Sequence, residues 1–310
     1  MSRIKRKTIG VLAMRLRTPK LNLQTNDMEI NRFDLSNVND FMTHIKALPN
    51  RSQDLGDRFI FLEEFNDVYS NNYYSGWFVS ARYGEIPDWI DARTMVRRPN
   101  NKRITEGEEN RTYFVLNKRT GLLLLQSDNK RIVTGSSVDN YLRSKIDGFE
   151  PQINHYNRLN ARRLMIAKET FIQLDYSIDT TFMEEVRRLA RIKKTTIQCT
   201  VANARQNGVV TAINNHLNGV NEYDEVEFAV VNKVRRMGVS GIEQFLEDLQ
   251  DRELYRNVIV QGTTSMGRPK TISWESHARK FEVKVQINAN GLVYQDDMIN
   301  QLIAVAEQNQ

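Results

Sequence analysis

The chain has 310 residues, 40% of them hydrophobic and 26% charged, with a formal net charge of +6 and an isoelectric point near 9.3. That balance suits one or two globular domains and excludes a disordered chain. The longest apolar run, GLLLL at 121–125, falls far short of the ~20 residues a membrane span needs, and a lone cysteine excludes both an intrachain disulfide and a cysteine-based zinc site.

The opening MSRIKRKTIG is basic but has neither a secretory apolar core nor a small-residue cleavage site, so a cytoplasmic protein is expected. The first twenty residues hold Arg3, Lys5, Arg6, Lys7, Arg15, Arg17 and Lys20 and no acid. KTIGVLAMRL (7–16) reads as a strand. SNVNDFMTHIKAL (36–48) has helical spacing at Val38, Phe41, Ile45 and Leu48, with Ser36 placed to cap it. RFIFLEEF and SGWFVSARY read as strands. Between them, Glu63, Glu64 and Asp67 lack the spacing of a metal loop and read as an acidic rim, and YSNNYYSGW as an edge loop with aromatic cover. RTYFVLNKRTGLLLLQSD (111–128) predicts a hairpin turning at 118–121, and SSVDNYLRSKI (136–146) a helix starting from a serine cap. Residues 147–165 lose the pattern, which places a boundary near 150 between an N-terminal α+β domain, 1–150, and a second domain, 151–310.

The second part repeats itself. Residues 169–201 read strand, turn, helix, strand, and so do 224–262. The two helices open on capping boxes, Thr181 with Glu184 and Ser240 with Glu243. In TIQCTV, Cys199 alternates with Ile197 and Val201 and is expected to face a core. The predicted fold is α+β: mixed or antiparallel sheets with helices on one face, the C-terminal part a duplicated α/β sandwich of two strand–helix–strand units. A hairpin with GRPK (267–270) at its tip follows, then KFEVKVQI. The last helix carries the apolar pairs Met298/Leu302 and Ile299/Ile303, a stripe broad enough for a core or a two-fold interface; a homodimer is expected.

Three basic stretches stand out. EEVRRLARIKKTT (184–196) puts Arg187, Arg188, Arg191, Lys193 and Lys194 within eight positions. A helical wheel from Thr181 gathers Phe182, Val186, Leu189 and Ala190 on one side and the three arginines on the other, with Glu184 set to pair Arg188 for about 0.3 kcal/mol. In VNKVRRMGVSG (231–241), Lys233, Arg235 and Arg236 precede a helix start, where free N–H groups favour an anion. In GRPK, Arg268 and Lys270 sit on a hairpin tip suited to a narrow groove. Together with the basic N-terminal strand they indicate binding to a polyanion by its backbone, since no recognition helix or zinc finger is present.

Catalytic motifs are lacking. His44, His155, His216 and His277 show no metal-ligand spacing, and no phosphate loop or nucleophile elbow occurs, so no catalytic residue, metal or cofactor is expected. FEVKV offers Glu282 and Lys284, the Glu-x-Lys of many Mg²⁺-dependent nucleases; the acid needed upstream has only Glu253 and Glu275 as candidates. A nuclease using Glu282 and Lys284 is the alternative, and a protein-interaction scaffold the third reading.

The order of RFIFLEEFNDVYSNN, the 111–128 hairpin with SSVDNYLRSKI, the two strand–helix units and KFEVKVQINANGLV resembles the RexA-type phage-exclusion proteins over most of the chain. The Kiwa-type DNA-binding defence proteins are similar in logic. The resemblance implies a homodimeric, sequence-tolerant sensor of double-stranded DNA in antiviral defence by abortive infection, acting with a separate membrane effector. It carries no residue-by-residue correspondence for the basic positions.

Overall fold

The structure, a computed structural model, describes residues 5–22, 24, 27–159, 166, 168, 171–177, 181–200, 225–232, 239, 246 and 257–309. In chain order the elements begin with β1 (Arg6–Asn22), β2 (Asp27–Arg32), α1 (Leu35–Ala47), β3 (Gln53–Asp54), β4 (Arg58–Asn66) and β5 (Tyr73–Arg82). Next come β6 (Trp89–Ile90), β7 (Arg97–Arg98), β8 (Asn110–Asn117), β9 (Leu122–Gln126), α2 (Gly135–Ser144) and α3 (Glu150–Leu159). The remainder are β10 (Gln173–Tyr176), α4 (Thr181–Arg187), β11 (Arg191–Thr200), β12 (Glu225–Val231), β13 (Asn257–Thr263), β14 (Pro269–Ser273), β15 (Lys280–Gln286) and α5 (Gln295–Gln308). The fold is α+β, with antiparallel sheets and packed helices. Among the described residues no helix is long and apolar enough to cross a membrane.

The chain divides into two compact units, but not as the consecutive halves 1–150 and 151–310. One crossing does fall between Phe149 and Glu150, yet Ala13–Asp34 groups with the second unit and Phe281–Gln310 with the first. Long-range strand pairing causes this, because β15 returns to the start of β1, where the Ile287 N–H donates to Lys5 O at 3.0 Å.

In the first unit β3, β4, β5, β8 and β9 are successive antiparallel neighbours, with registers such as Phe61↔Val79, Trp77↔Tyr113 and Val115↔Leu124. β8 is buried at six successive positions, 112–117, so both of its faces are covered. The hairpin after it turns at 118–121 as its sequence predicts: Asn117 Oδ1 accepts the N–H groups of Arg119 and Thr120, and Gly121 has φ +71°. Two caps differ from expectation. α1 starts at Leu35, so Ser36 lies inside it. α2 is capped by Thr134, whose hydroxyl accepts the Ser137 N–H at 3.2 Å while Ser137 Oγ accepts the Thr134 N–H at 2.7 Å. Met298, Ile299, Leu302, Ile303 and Ala306 of α5 are buried and the helix packs on β8 and β9. The broad stripe is therefore core of this unit and is not free to form a two-fold interface.

In the second unit β12, β11, β13 and β14 form a four-stranded antiparallel sheet. α4 covers one face, through a core of Phe182, Val186, Leu189, Ile192, Ile197, Val258, Val260, Ile272 and Trp274. The first strand–helix–strand unit is β10–α4–β11, but its two strands lie in different pairings: β10 joins β1, and β11 lies between β12 and β13. The helix expected over 240–250, with its Ser240 cap, lies outside the described residues apart from the helical Leu246, and so does the orientation of Cys199.

Candidate nucleic-acid interface

α4 is shorter than the wheel assumed. It ends at Arg187, and Arg191 is the first residue of β11. The reason lies in IKKTTIQCT, whose β-branched residues favour a strand and which pairs on both sides. The inward side of the wheel is right for Phe182, Val186 and Leu189, while Ala190 is exposed. Arg187, Arg188 and Arg191 are exposed: Arg187 is the last residue of α4, Arg188 lies in the turn just past it, and Arg191 opens the strand.

β11 begins with a bulge. Ile192 pairs with Gly262 and Lys194 with Gln261, which leaves Lys193 as the extra residue. Ile192 and Thr195 are buried on the α4 side, and the bulge fits two successive lysines between them without sending either inward. Gly262 is required by this geometry: a Cβ there would lie 2.3 Å from Arg191 O. On the side away from α4, Gln261, Thr271, Ala229 and Val231 are exposed and Lys194, opposite Gln261 and Val231, is half-buried, so this end of the sheet has an open face of mixed polar and apolar residues.

The antiparallel order brings the basic stretches to one end. β11 starts there at Arg191, opposite Thr263 where β13 finishes, and the hairpin from 264 to 268 extends from the same end. The hairpin tip is held by the Thr264 N–H to Arg268 O at 2.9 Å and by Gly267 at φ +76°, and it exposes Met266 and Arg268. β12 also finishes there. The Asn232 N–H donates to Lys193 O, and the Val239 N–H donates to Ile192 O, both at 2.9 Å. Lys233, Arg235 and Arg236 lie outside the described residues, but both flanks of their segment are bonded to β11 beside the bulge.

Residues 184–194 and 264–270 hold seven cations against Glu184 and Glu185. Glu184 reaches Arg188 at 3.8 Å, an exposed pair of little worth. Glu185 takes Lys270 at 2.8 Å and His277 Nε2 at 3.2 Å. The hydrogen bond from Lys270 holds the Glu185 carboxyl below its usual range. Lys270 is thus a structural cation on the helix side of β14, not part of the tip. The signal was in the sequence, since Lys270 and buried Ile272 are two apart on a strand and share a face. Among the described residues Arg191, Lys193, Lys194 and Arg268 have no ion-pair partner. At the far end of the sheet the balance reverses, with Glu227 bonded to Gln198.

The other candidates disperse. Lys5, Arg6, Lys7, Arg15 and Lys20 are exposed along β1 and just before it, but Arg17 is buried with its Nε 2.7 Å from Asp175 Oδ2. Glu282 and Lys284 are exposed on β15, alternating with buried Val283 and Val285, as on an ordinary half-buried strand. Glu63, Glu64 and Asp67 meet separate partners: Trp77 Nε1, Lys46 and Lys118. Lys46 and the Phe65 N–H outweigh burial and lower the Glu64 carboxyl. Tyr74 packs on Phe65 at 4.4 Å under Lys118, so it is occupied as cover. Among the described residues no three His, Cys, Asp or Glu side chains form a group able to hold a metal ion. No protein-family model and no curated protein matches the chain.

Proposed function

We propose that this chain is a sequence-tolerant DNA-binding protein that grips duplex backbone at the Arg191 end of the four-stranded sheet. The observation that carries the reading is the convergence there of exposed Arg187, Arg188, Arg191, Lys193 and Arg268 and half-buried Lys194, with the 232 and 239 flanks of the Lys233–Arg236 stretch bonded beside them. An open sheet face with a basic hairpin and a basic helix end supplies phosphate contacts but no fixed pattern of base-reading groups. In this reading the protein binds and does not cleave. Its resemblance to RexA-type exclusion proteins supports a cytoplasmic sensor role in phage defence, with a second copy of the chain and a separate membrane protein as further partners.

The test is duplex affinity across salt, with and without Mg²⁺. Affinity is expected to fall with a log–log slope of about −0.9 per phosphate neutralised, to be nearly equal for unrelated sequences, and to leave the DNA intact. A flat salt response refutes backbone binding. Cleavage abolished by Glu282→Ala turns the assignment to the nuclease.

A further inference from the structure

Between β5 and β8 the chain makes an excursion, 84–104, that leaves and returns through one backbone hydrogen bond, the Gly84 N–H to Ile104 O at 2.8 Å. Its base is tightly packed: a Cβ on Gly107 would lie 2.2 Å from Arg82 O. Within it β6 and β7 pair, Trp89 opposite Arg98 and Ile90 opposite Arg97. The turn joining them is ordered, since Asp91 Oδ1 accepts the N–H groups of Thr94 at 2.7 Å and Arg93 at 2.9 Å. The result is a built two-stranded ribbon, exposed at every residue from 84 to 99.

Its surface is unusual for solvent. Trp89 is 44% exposed, Ile90 56%, Met95 70% and Val96 63%. A cluster of large apolar side chains on an ordered, exposed element marks a contact surface. Across 84–104 the excursion holds Arg93, Arg97, Arg98, Lys102 and Arg103 against Glu85, Asp88 and Asp91, a surplus of cations that all follow Asp91. Arg103 lies 3.8 Å from Glu106; among the described residues Arg93, Arg97 and Arg98 have no ion-pair partner. The partner is therefore anionic, with apolar surface between its charges.

The register distinguishes two such partners. Directly opposed residues share a face, so Trp89 and Arg98 lie on one side of the ribbon and Ile90 and Arg97 on the other. Each face combines an apolar group with a cation. A lipid surface selects apolar groups on one face and cations on the opposite one. A duplex groove has phosphate walls on both sides of an inserted ribbon and sugars and base edges between them, and it admits a two-stranded β-ribbon with apolar side chains. We propose that the β6–β7 ribbon enters a groove of duplex DNA, with Arg97 and Arg98 on phosphates at its two sides and Trp89, Ile90 and Met95 against sugars and bases. The inference rests on the DNA-binding reading above and adds a second contact, on the first unit.

Trp89 provides the test, because Trp274 is 5% exposed and Trp77 is half-buried. Acrylamide quenching of the full chain, with Trp89→Phe as the blank, is measured free, with a 20-base-pair duplex and with phosphatidylserine vesicles. Duplex is expected to shield Trp89, and the Arg97→Ala/Arg98→Ala variant is expected to lose about 0.9 of salt slope per lost contact while its circular dichroism is unchanged. Trp89 equally quenched in the DNA complex, or a wild-type slope in the double variant, overturns the ribbon contact. Shielding by vesicles without shielding by duplex overturns it in favour of lipid. Should sheet-end substitutions weaken DNA binding while ribbon substitutions do not, the ribbon alone is refuted. A wild-type chain that binds no duplex refutes the DNA-binding reading and this inference together.

Discussion

The Tyr141 hydroxyl is bonded twice inside the first unit: it donates to Arg51 O at 2.8 Å and accepts the Leu62 N–H at 3.0 Å. Burial pushes the phenol from its ordinary 10.0 up to about 12. Tyr141→Phe leaves both backbone groups without this partner, an expected loss of about 1–3 kcal/mol by urea unfolding. Because the folded state holds the proton more tightly, the phenol's contribution is complete below pH 10 and is lost as pH rises towards about 12. The variant should therefore lose less stability than wild type across that window; parallel loss in both would refute the assignment. The second residue contrast is Arg268 against Lys270. Arg268→Ala is expected to shrink the DNA salt slope by about one unit, and Lys270→Ala to leave it unchanged. Equal effects from the two would return Lys270 to the interface. GRPK showed two basic residues of the same parity in the sequence; what separates them is that Arg268 lies in the turn before β14, while Lys270 lies within β14 and shares the helix side with Ile272.

At the scale of elements, α4 and β11 were legible in part. The apolar spacing of Phe182, Val186 and Leu189 reported the buried side correctly, since it depends on local periodicity. The end of the helix did not follow from the wheel, because pairing with Thr263 of β13, 72 residues on, draws Arg191 into a strand, and so distant a partner leaves no local trace. The bulge at Lys193 was likewise hidden, although Gly262 within VIVQGTT was its signal. Gly262→Ala forces a Cβ against Arg191 O, so it is expected to disturb the bulge, lower the melting temperature and weaken DNA binding together. Leu189→Ala should destabilise by about 2–5 kcal/mol, whereas Arg188→Ala should stay within about 0.5 kcal/mol and weaken DNA binding. Chemical denaturation with a parallel DNA titration separates these cases; a folded, DNA-competent Gly262→Ala would show that the bulge is not required.

At the scale of the molecule, the α+β class was readable from the alternation of strands and helices. The interleaving of the two units was not, because nothing in KFEVKVQI states that it returns to β1, nor that the stripe of α5 is covered by β8 and β9. The same long-range pairing turns scattered basic stretches into one surface: 191, 232 and 264–268 are far apart in the chain and share one end of a sheet. The direct test is the salt dependence of duplex binding for wild type and for the variant Arg188→Ala/Arg191→Ala/Lys193→Ala/Arg268→Ala, with melting curves confirming that both are folded. A shared phosphate-binding surface predicts a slope shallower by roughly one unit for each contact removed; a variant that binds with the affinity and slope of wild type contradicts it.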